Sequence, residues 1–155
     1  MTVYADDVNY WRTSRTAPDV WLQRAAREIE RIGGQVLASG FIREHAGGRA
    51  AFLLKFTLEG HQFRIAFPVL PPRKPTEANW RAAHIQTATA LFHSVKARCV
   101  EARMHGARAA FHRWLVLPNG RAAEELSDTE LVRVLPEVFG GLPLPPPDDE
   151  QTPPH

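Results

Sequence analysis

Two neighbouring segments of the chain alternate apolar and polar side chains with a period of two, which is typical of strands that bury one face. Residues 50–58 and 62–69 follow this pattern, and Glu59-Gly60 between them predicts a tight hairpin turn. We expect a further strand at Gln35–Glu44, which ends at the turn-forming residues 45–48. Together these segments predict an antiparallel sheet with the following residues on its buried face: Phe52, Leu54, Phe56, Leu58, Phe63, Ile65, Phe67 and Val69.

Helical spacing of apolar residues predicts one helix before the sheet and a longer one after it. The first helix is expected to begin at Pro18, whose ring suits a first turn, and to end before Gly33. The second is expected to begin after Thr76, a helix-capping residue, and to run to about His105. The predicted helices therefore flank the sheet in sequence and can cover one of its faces.

The remaining segments predict how the domain is bounded. Trp114–Leu117 is expected to form a short strand, and the capping box Ser127–Glu130 predicts a last helix. The chain is therefore predicted to be α+β, with a helix, a three-stranded antiparallel sheet, a long helix, a short strand and a final helix in a single domain at residues 18–139. Residues 1–17 are expected to form an N-terminal arm, and 140–155 a disordered tail rich in proline and acidic residues.

Composition narrows the possible classes of protein. A chain of 155 residues with 44% hydrophobic content is large enough for one packed domain, and it has no apolar run of membrane-spanning length and no secretion-signal pattern. Cys99 is the single cysteine and falls on an apolar helix stripe, which excludes an intramolecular disulfide and predicts a buried thiol. Glu101 and His105 share a helix face, but two ligands do not make a metal site. We therefore expect a cytoplasmic, non-enzymatic protein with no cofactor, no metal and no catalytic residue. The alternative of an enzyme would need convergent polar groups in a pocket, for example Glu101 and His105 with a third histidine.

The net charge of +2 conceals an uneven distribution. Through Arg121 the chain has 18 basic and 9 acidic residues, whereas residues 122–155 have eight acidic residues and one basic residue, Arg133. Because an anionic partner responds to the local field, this asymmetry is more informative than the total charge. We expect the acidic end either to compete with phosphate for the basic part of the chain or only to keep the chain in solution.

Residues 81–121 carry the strongest functional signal, with seven basic residues against one acidic residue, Glu101. Arginine and lysine bind phosphate through charge-assisted hydrogen bonds, and a solvated helix normally mixes both signs of charge. The pattern favours a non-enzymatic protein that binds DNA or RNA through its phosphate backbone. The candidate binding residues are Arg73, Lys74, Arg81, Lys96, Arg98, Arg103, Arg108, Arg113 and Arg121.

The sequence also offers an alternative binding surface and an alternative class of partner. The outward sheet face, with Lys55, Thr57, Gln62 and Arg64, is an alternative nucleic-acid platform. The order of helix, three strands and helix is also that of double-stranded RNA-binding domains, although the basic cluster of that family is weak here. A protein-interaction module, such as a host-factor inhibitor or a subunit of a larger assembly, would be favoured by exposure of one of three aromatic residues: Trp11, Trp21 or Trp80.

Several short motifs occur in a fixed order between residues 4 and 125. They are Tyr4-Ala5, Glu28-Ile29-Glu30-Arg31, Phe67-Pro68-Val69-Leu70-Pro71, Val95-Lys96-Ala97-Arg98 followed by Val100-Glu101-Ala102, and Val116-Leu117-Pro118-Asn119-Gly120-Arg121. In these motifs the chain resembles a group of small uncharacterised proteins encoded by phages, prophages and plasmids. The resemblance implies a mobile-element context and brings no activity, cofactor or catalytic residue.

Overall fold

The computed structural model describes residues 2–43 and 49–123. Within them, two helices and a sheet follow the predicted order, and short helical turns precede and follow them. The elements are a 3-10 turn (Ala5–Asp7), α1 (Pro18–Arg31), β1 (Gln35–Ile42), β2 (Ala51–Leu58), β3 (His61–Pro68), α2 (Glu77–His105), α3 (Ala107–Ala110) and a second 3-10 turn (His112–Trp114). The predicted α+β fold is confirmed, while the helix expected after Ser127 and the acidic tail lie outside the described residues.

The sheet is antiparallel with the strand order β1-β2-β3. Glu59 and Gly60 connect β2 to β3 with φ values of 52° and 78°. Positive φ at both central residues matches the right-handed twist of the flanking strands, which is why this turn makes a tight hairpin. The apolar alternation of β2 and β3 faces the helices as predicted, except that Phe67 is half-buried where the sheet meets the connector to α2.

The long helix α2 begins and ends where its capping residues require. Thr76 Oγ1 accepts a hydrogen bond from the Asn79 backbone N–H at 3.1 Å, and Gly106, at a φ of 94°, ends the helix. The α1 and α2 helices pack against each other, and their buried side chains share one core with the inner face of the sheet. No helix in residues 2–43 and 49–123 is long and apolar enough to cross a membrane.

The segment expected to be a short strand forms isolated bridges instead. Leu115 bridges to Phe63, and Val116 bridges to Ala122 after a turn with Gly120 at a φ of 82°. The Val116 backbone N–H donates to the Gln62 carbonyl at 2.8 Å. Because the chain turns back so soon, only single bridges form, and these partly cover the outer edge of β3.

The N-terminal arm is docked onto α2 by one buried amide. Gln86 Nε2 lies 2.8 Å from the carbonyl oxygen of Ala5 and 3.0 Å from those of Val8 and Asn9. Ala5 is fully buried and its N–H donates to the Pro71 carbonyl. Because a buried side-chain amide is stabilised only when it is hydrogen-bonded, Gln86 and the arm depend on each other.

Gly34 is expected to be intolerant of any side chain. A Cβ at this position would lie 2.5 Å from Ile29 Cγ2 and 3.0 Å from the Thr57 carbonyl oxygen. We expect Gly34→Ala to lower the free energy of unfolding by about 1–3 kcal/mol through overpacking, measured by urea denaturation. Gly40→Ala is the matched control, because nothing lies within 4 Å of a Cβ there; equal losses in both variants would contradict the overpacking.

Candidate nucleic-acid interface

The basic candidates fall into separate groups, and the first group contacts the N-terminal arm. Arg73 Nη2 lies 2.5 Å from Asp7 Oδ2, and the Arg73 backbone N–H donates to Asp6 Oδ1 at 2.9 Å. The Arg73 guanidinium also lies over the Tyr4 ring, 4.6 Å from its centroid. These contacts tie the connector before α2 to the arm, so Arg73 has an evident structural role.

Lys74 and Arg81 lie at the N-terminal end of α2. Lys74 is exposed, and its carbonyl accepts a hydrogen bond from Asn79 Nδ2 at 3.0 Å. Arg81 pairs with Glu77 at 3.6 Å on the exposed helix surface, a type of pair that contributes little to stability. Arg81 and Arg12 also line an open cleft of about 410 Å³, so this end of the helix has a basic cluster of its own.

Lys96 and Arg103 lie on the side of α2 that faces α1. They are seven residues apart and therefore share a helix face. Both line a groove of about 220 Å³ together with Glu28 and Arg31 of α1. The Glu28 carboxylate gives this groove mixed charge, which makes it a weaker phosphate site than a purely basic surface.

Arg98 and Arg113 converge on one aromatic ring. Their guanidinium carbons lie 5.7 Å and 5.1 Å, respectively, from the centroid of the Trp114 ring. Trp114 is buried, so its packing in the core fixes the position of the indole ring that both guanidinium groups contact. Arg98 also pairs with Glu101 at 3.0 Å. Two guanidinium groups from separate elements are thereby held near each other at the surface.

An open cleft of about 710 Å³ lies at the C-terminal end of α2. The Glu59 side chain from the β2–β3 turn faces it, and Glu59 Oε2 accepts the Ala107 backbone N–H at 2.5 Å. Three histidines and one arginine line the cleft from four different elements: His61, His105, Arg108 and His112. His112 directly precedes Arg113 in the chain, so we group the residues that line this cleft with the two arginines that lie over the Trp114 ring. We call this group the C-terminal basic surface and define it as Arg98, Arg108, Arg113, His61, His105 and His112.

Arg108 lies close enough to His61 to act on the charge of its imidazole. Burial lowers the pKa of His61, and the nearby Arg108 lowers it further, while Glu59 opposes this with a smaller effect. At His61 the effect of Arg108 on the pKa exceeds that of Glu59, so the balance of these two charges favours an anion, whereas burial, the larger cause, acts against any charge.

Arg121 lies in the turn that follows the single bridges of residues 115 and 116. Its backbone N–H donates to Asn119 Oδ1 at 3.0 Å. In the same turn, the Gly120 carbonyl accepts a hydrogen bond from Arg64 Nη1 at 3.3 Å. Arg121 is therefore placed beside β3 and its outward-facing Arg64.

The residues of the alternative nucleic-acid platform lie next to one another on the outer face of the sheet. Lys55 lies directly opposite Arg64, and Thr57 lies opposite Gln62. All of these residues are half-buried. Two like charges in register repel each other, so this face would also gain from an anion, but it presents fewer cations than the C-terminal basic surface.

Helix length separates the predicted binding residues. Arg81 and Arg103 are 22 residues apart on α2, a distance of about 33 Å at about 1.5 Å per residue. One compact phosphate site therefore cannot include both ends of the helix. The structure brings Arg98, Arg108 and Arg113 to one end and leaves Arg73, Lys74 and Arg81 near the other.

Cys99 and the pair of Glu101 and His105 are the thiol and metal-ligand candidates of the sequence. Cys99 is buried, and burial together with the nearby Glu28 raises its pKa to about 12, while Arg103 opposes this. The thiol therefore stays protonated at neutral pH and packs as a small apolar group. Across residues 2–43 and 49–123, no three His, Cys, Asp or Glu side chains are grouped so as to hold a metal ion.

The cleft lined by His61, His105 and His112, which we call the histidine cleft, was not predicted from the sequence. The sequence predicts two parts of the cleft one by one, because the hairpin at Glu59 and the helix end at Gly106 both follow from local residue preferences. Only the packing of α2 along the sheet brings these two predicted ends together.

No protein-family model, curated protein or solved structure matches the chain.

Proposed function

We propose that the protein binds nucleic acid without catalysing a reaction, as an accessory protein of a phage or other mobile element, and that the C-terminal basic surface holds the phosphate backbone. The observation that carries this proposal is the placement of Arg98, Arg108 and Arg113 at the C-terminal end of α2, where Arg98 and Arg113 lie over the same Trp114 ring. Arginine suits this task because its planar guanidinium donates two parallel hydrogen bonds to a phosphate. The mobile-element context rests on the resemblance of the sequence motifs alone.

The acidic residues near this surface leave it predominantly basic. Glu101 pairs with Arg98, and Glu59 accepts a backbone N–H, so each carboxylate already has a donor. The Arg98–Glu101 pair is solvent-exposed and therefore weak enough for a phosphate to compete for the arginine. Since guanidinium groups on a surface recognise charge and shape, we expect contacts to the backbone and little sequence preference.

A binding titration at two salt concentrations tests the proposal. The full chain is titrated into labelled single- and double-stranded DNA and RNA, and binding is followed by fluorescence anisotropy. We expect the affinity to fall with salt, with a log–log slope of about −0.9 per phosphate neutralised for duplex DNA and about −0.7 for single strands. Absence of binding at low salt to every one of these probes would contradict it.

Binding of a protein partner is the second candidate function, and it is favoured by exposed aromatic residues at a different place. Trp80 is 38% exposed and Phe41 is 43% exposed, and both rings lie next to His84, with centroid distances of 6.5 Å and 5.0 Å. Exposed aromatic side chains are frequent anchors of protein interfaces. Self-association provides a first test: sedimentation of the full chain is compared with that of Trp80→Ser, and an association that the substitution abolishes would support this candidate.

A further inference from the structure

The histidine cleft has the composition of an anion site. Its lining combines one permanently charged side chain, Arg108, with the imidazole rings of three histidines. The one carboxylate that faces it, Glu59, is hydrogen-bonded to the Ala107 N–H. The chemistry that such a lining recognises is a multiply charged oxyanion, for which arginine and protonated imidazole are both hydrogen-bond donors.

A metal ion suits this cleft less well. The histidines come from β3, the end of α2 and the second 3-10 turn, and within the described residues no three potential ligands are grouped for a metal. Arg108 has no lone pair to offer a cation, and its charge would repel one. The volume of about 710 Å³ is instead ample for a phosphate together with its attached sugar.

We propose that the cleft binds a phosphate group of the nucleic acid, with Arg108 as the fixed cation and His61, His105 and His112 as additional donors. This inference rests on the proposed function, because it assigns a particular phosphate position within the C-terminal basic surface. The phosphate belongs either to an internal diester of the strand or to its phosphorylated end. Both sources present the same charged oxygens to the cleft.

Protonation of His61 should make this binding pH-dependent. The charged and titratable groups that face the cleft are Glu59, His61, His105, Arg108 and His112. In the free protein the pKa of His61 is lowered by burial and by Arg108. A bound anion stabilises the protonated form of His61, so the affinity is low at a pH well above the lowered pKa of this imidazole and increases as the pH falls towards it.

Sulfate is the probe for the cleft itself, because its charge stays constant between pH 5.5 and 8. We expect sulfate to bind the full chain about tenfold more tightly at pH 5.5 than at pH 8. In histidine-selective NMR spectra, the ring signals of His61, His105 and His112 should move on titration. The signals of His93, which stacks on Tyr10 outside the cleft, should not move.

Two single arginine substitutions test whether sulfate binds in the cleft. Arg108→Gln is expected to weaken sulfate binding at both pH values, whereas Arg27→Gln, at an exposed arginine of α1 that does not line the cleft, should leave it unchanged. The NMR spectrum of each variant reports whether the fold is retained. Equal effects of the two substitutions, or shifts of His93 as large as those of the cleft histidines, would overturn the proposal.

Two oligonucleotides of the same sequence, one with a 5′-phosphate and one without, identify the source of the phosphate. Displacement of sulfate by both with equal affinity supports an internal diester, and tighter binding of the phosphorylated strand supports a terminal phosphate. An oligonucleotide that binds without displacing sulfate would overturn the cleft assignment but leave the proposed function intact. Failure of both strands to bind while sulfate still does would instead overturn the proposed function and, with it, the assignment of a nucleic-acid phosphate to the cleft.

Discussion

The triple variant R98Q/R108Q/R113Q is expected to bind nucleic acid about 100-fold more weakly than the parent chain at low salt, with a salt slope reduced by up to about 2.7 for duplex DNA. The reason is the loss of three phosphate contacts, each of which releases counterions when it forms. Glutamine keeps a polar side chain of similar reach and removes the charge. Fluorescence anisotropy at several salt concentrations measures both the affinity and the slope.

A matched variant separates the local surface from the total charge. R15Q/R24Q/R27Q removes the same number of charges from exposed positions on the arm and α1. We expect this control to lose little affinity, because its arginines lie outside the C-terminal basic surface. Equal losses in the two triple variants would show that overall charge, rather than this surface, governs binding.

The largest expected effect on stability is that of Phe111→Ala. Phe111 is fully buried, and its ring centroid lies 5.1 Å from that of Phe56 and 5.6 Å from that of Phe63. Removing the ring leaves a cavity among aromatic neighbours that cannot collapse easily. We expect the free energy of unfolding to fall by about 3–5 kcal/mol in urea denaturation.

This substitution should also affect the binding surface. Phe111 joins α3 to the turn that carries Arg113 and Trp114, so its packing positions the cations on either side of it. Phe41→Ala is the stability control, because Phe41 is 43% exposed on β1 and should lose much less of the unfolding free energy. A loss for Phe111→Ala no larger than that for Phe41→Ala would contradict a core organised around Phe111.

Local patterns in the sequence were sufficient to predict most of the fold. The alternation in β2 and β3 determines which side chains face the helices, because a shift of one residue would expose the whole apolar set. Pro18, Thr76 and Gly106 set helix ends through their own backbone and capping preferences, and the structure places the ends there. These features depend on residues close in sequence, which is why sequence analysis identifies them.

Features that depend on contacts between distant segments were not predicted. Gln86 lies in the middle of a helix pattern, and nothing local indicates that its amide binds the carbonyls of Ala5 and Val8. The expected strand at 114–117 was reduced to bridges because the turn at Gly120 leaves too short a segment to pair. In each case tertiary contacts decided the outcome.

The candidate site was predicted as a set of residue types but not as a surface. Charge along the sequence identified Arg98, Arg108 and Arg113, yet it equally identified Arg73, which the structure engages with Asp7. A linear count of charges carries no information on which cations share a face or which carboxylate lies opposite. The grouping came from helix geometry and from the packing around Trp114.

The most direct test of the central claim is an NMR footprint of a short oligonucleotide on the full, isotope-labelled chain at low salt. The account predicts that the largest backbone amide shifts fall at residues 98–113 and at His61. It also predicts that residues near Arg12, Arg73 and Arg81, at the other end of α2, stay largely unperturbed. Shifts centred on that other end or on the outer sheet face around Lys55 would contradict the account, as would the absence of any shift.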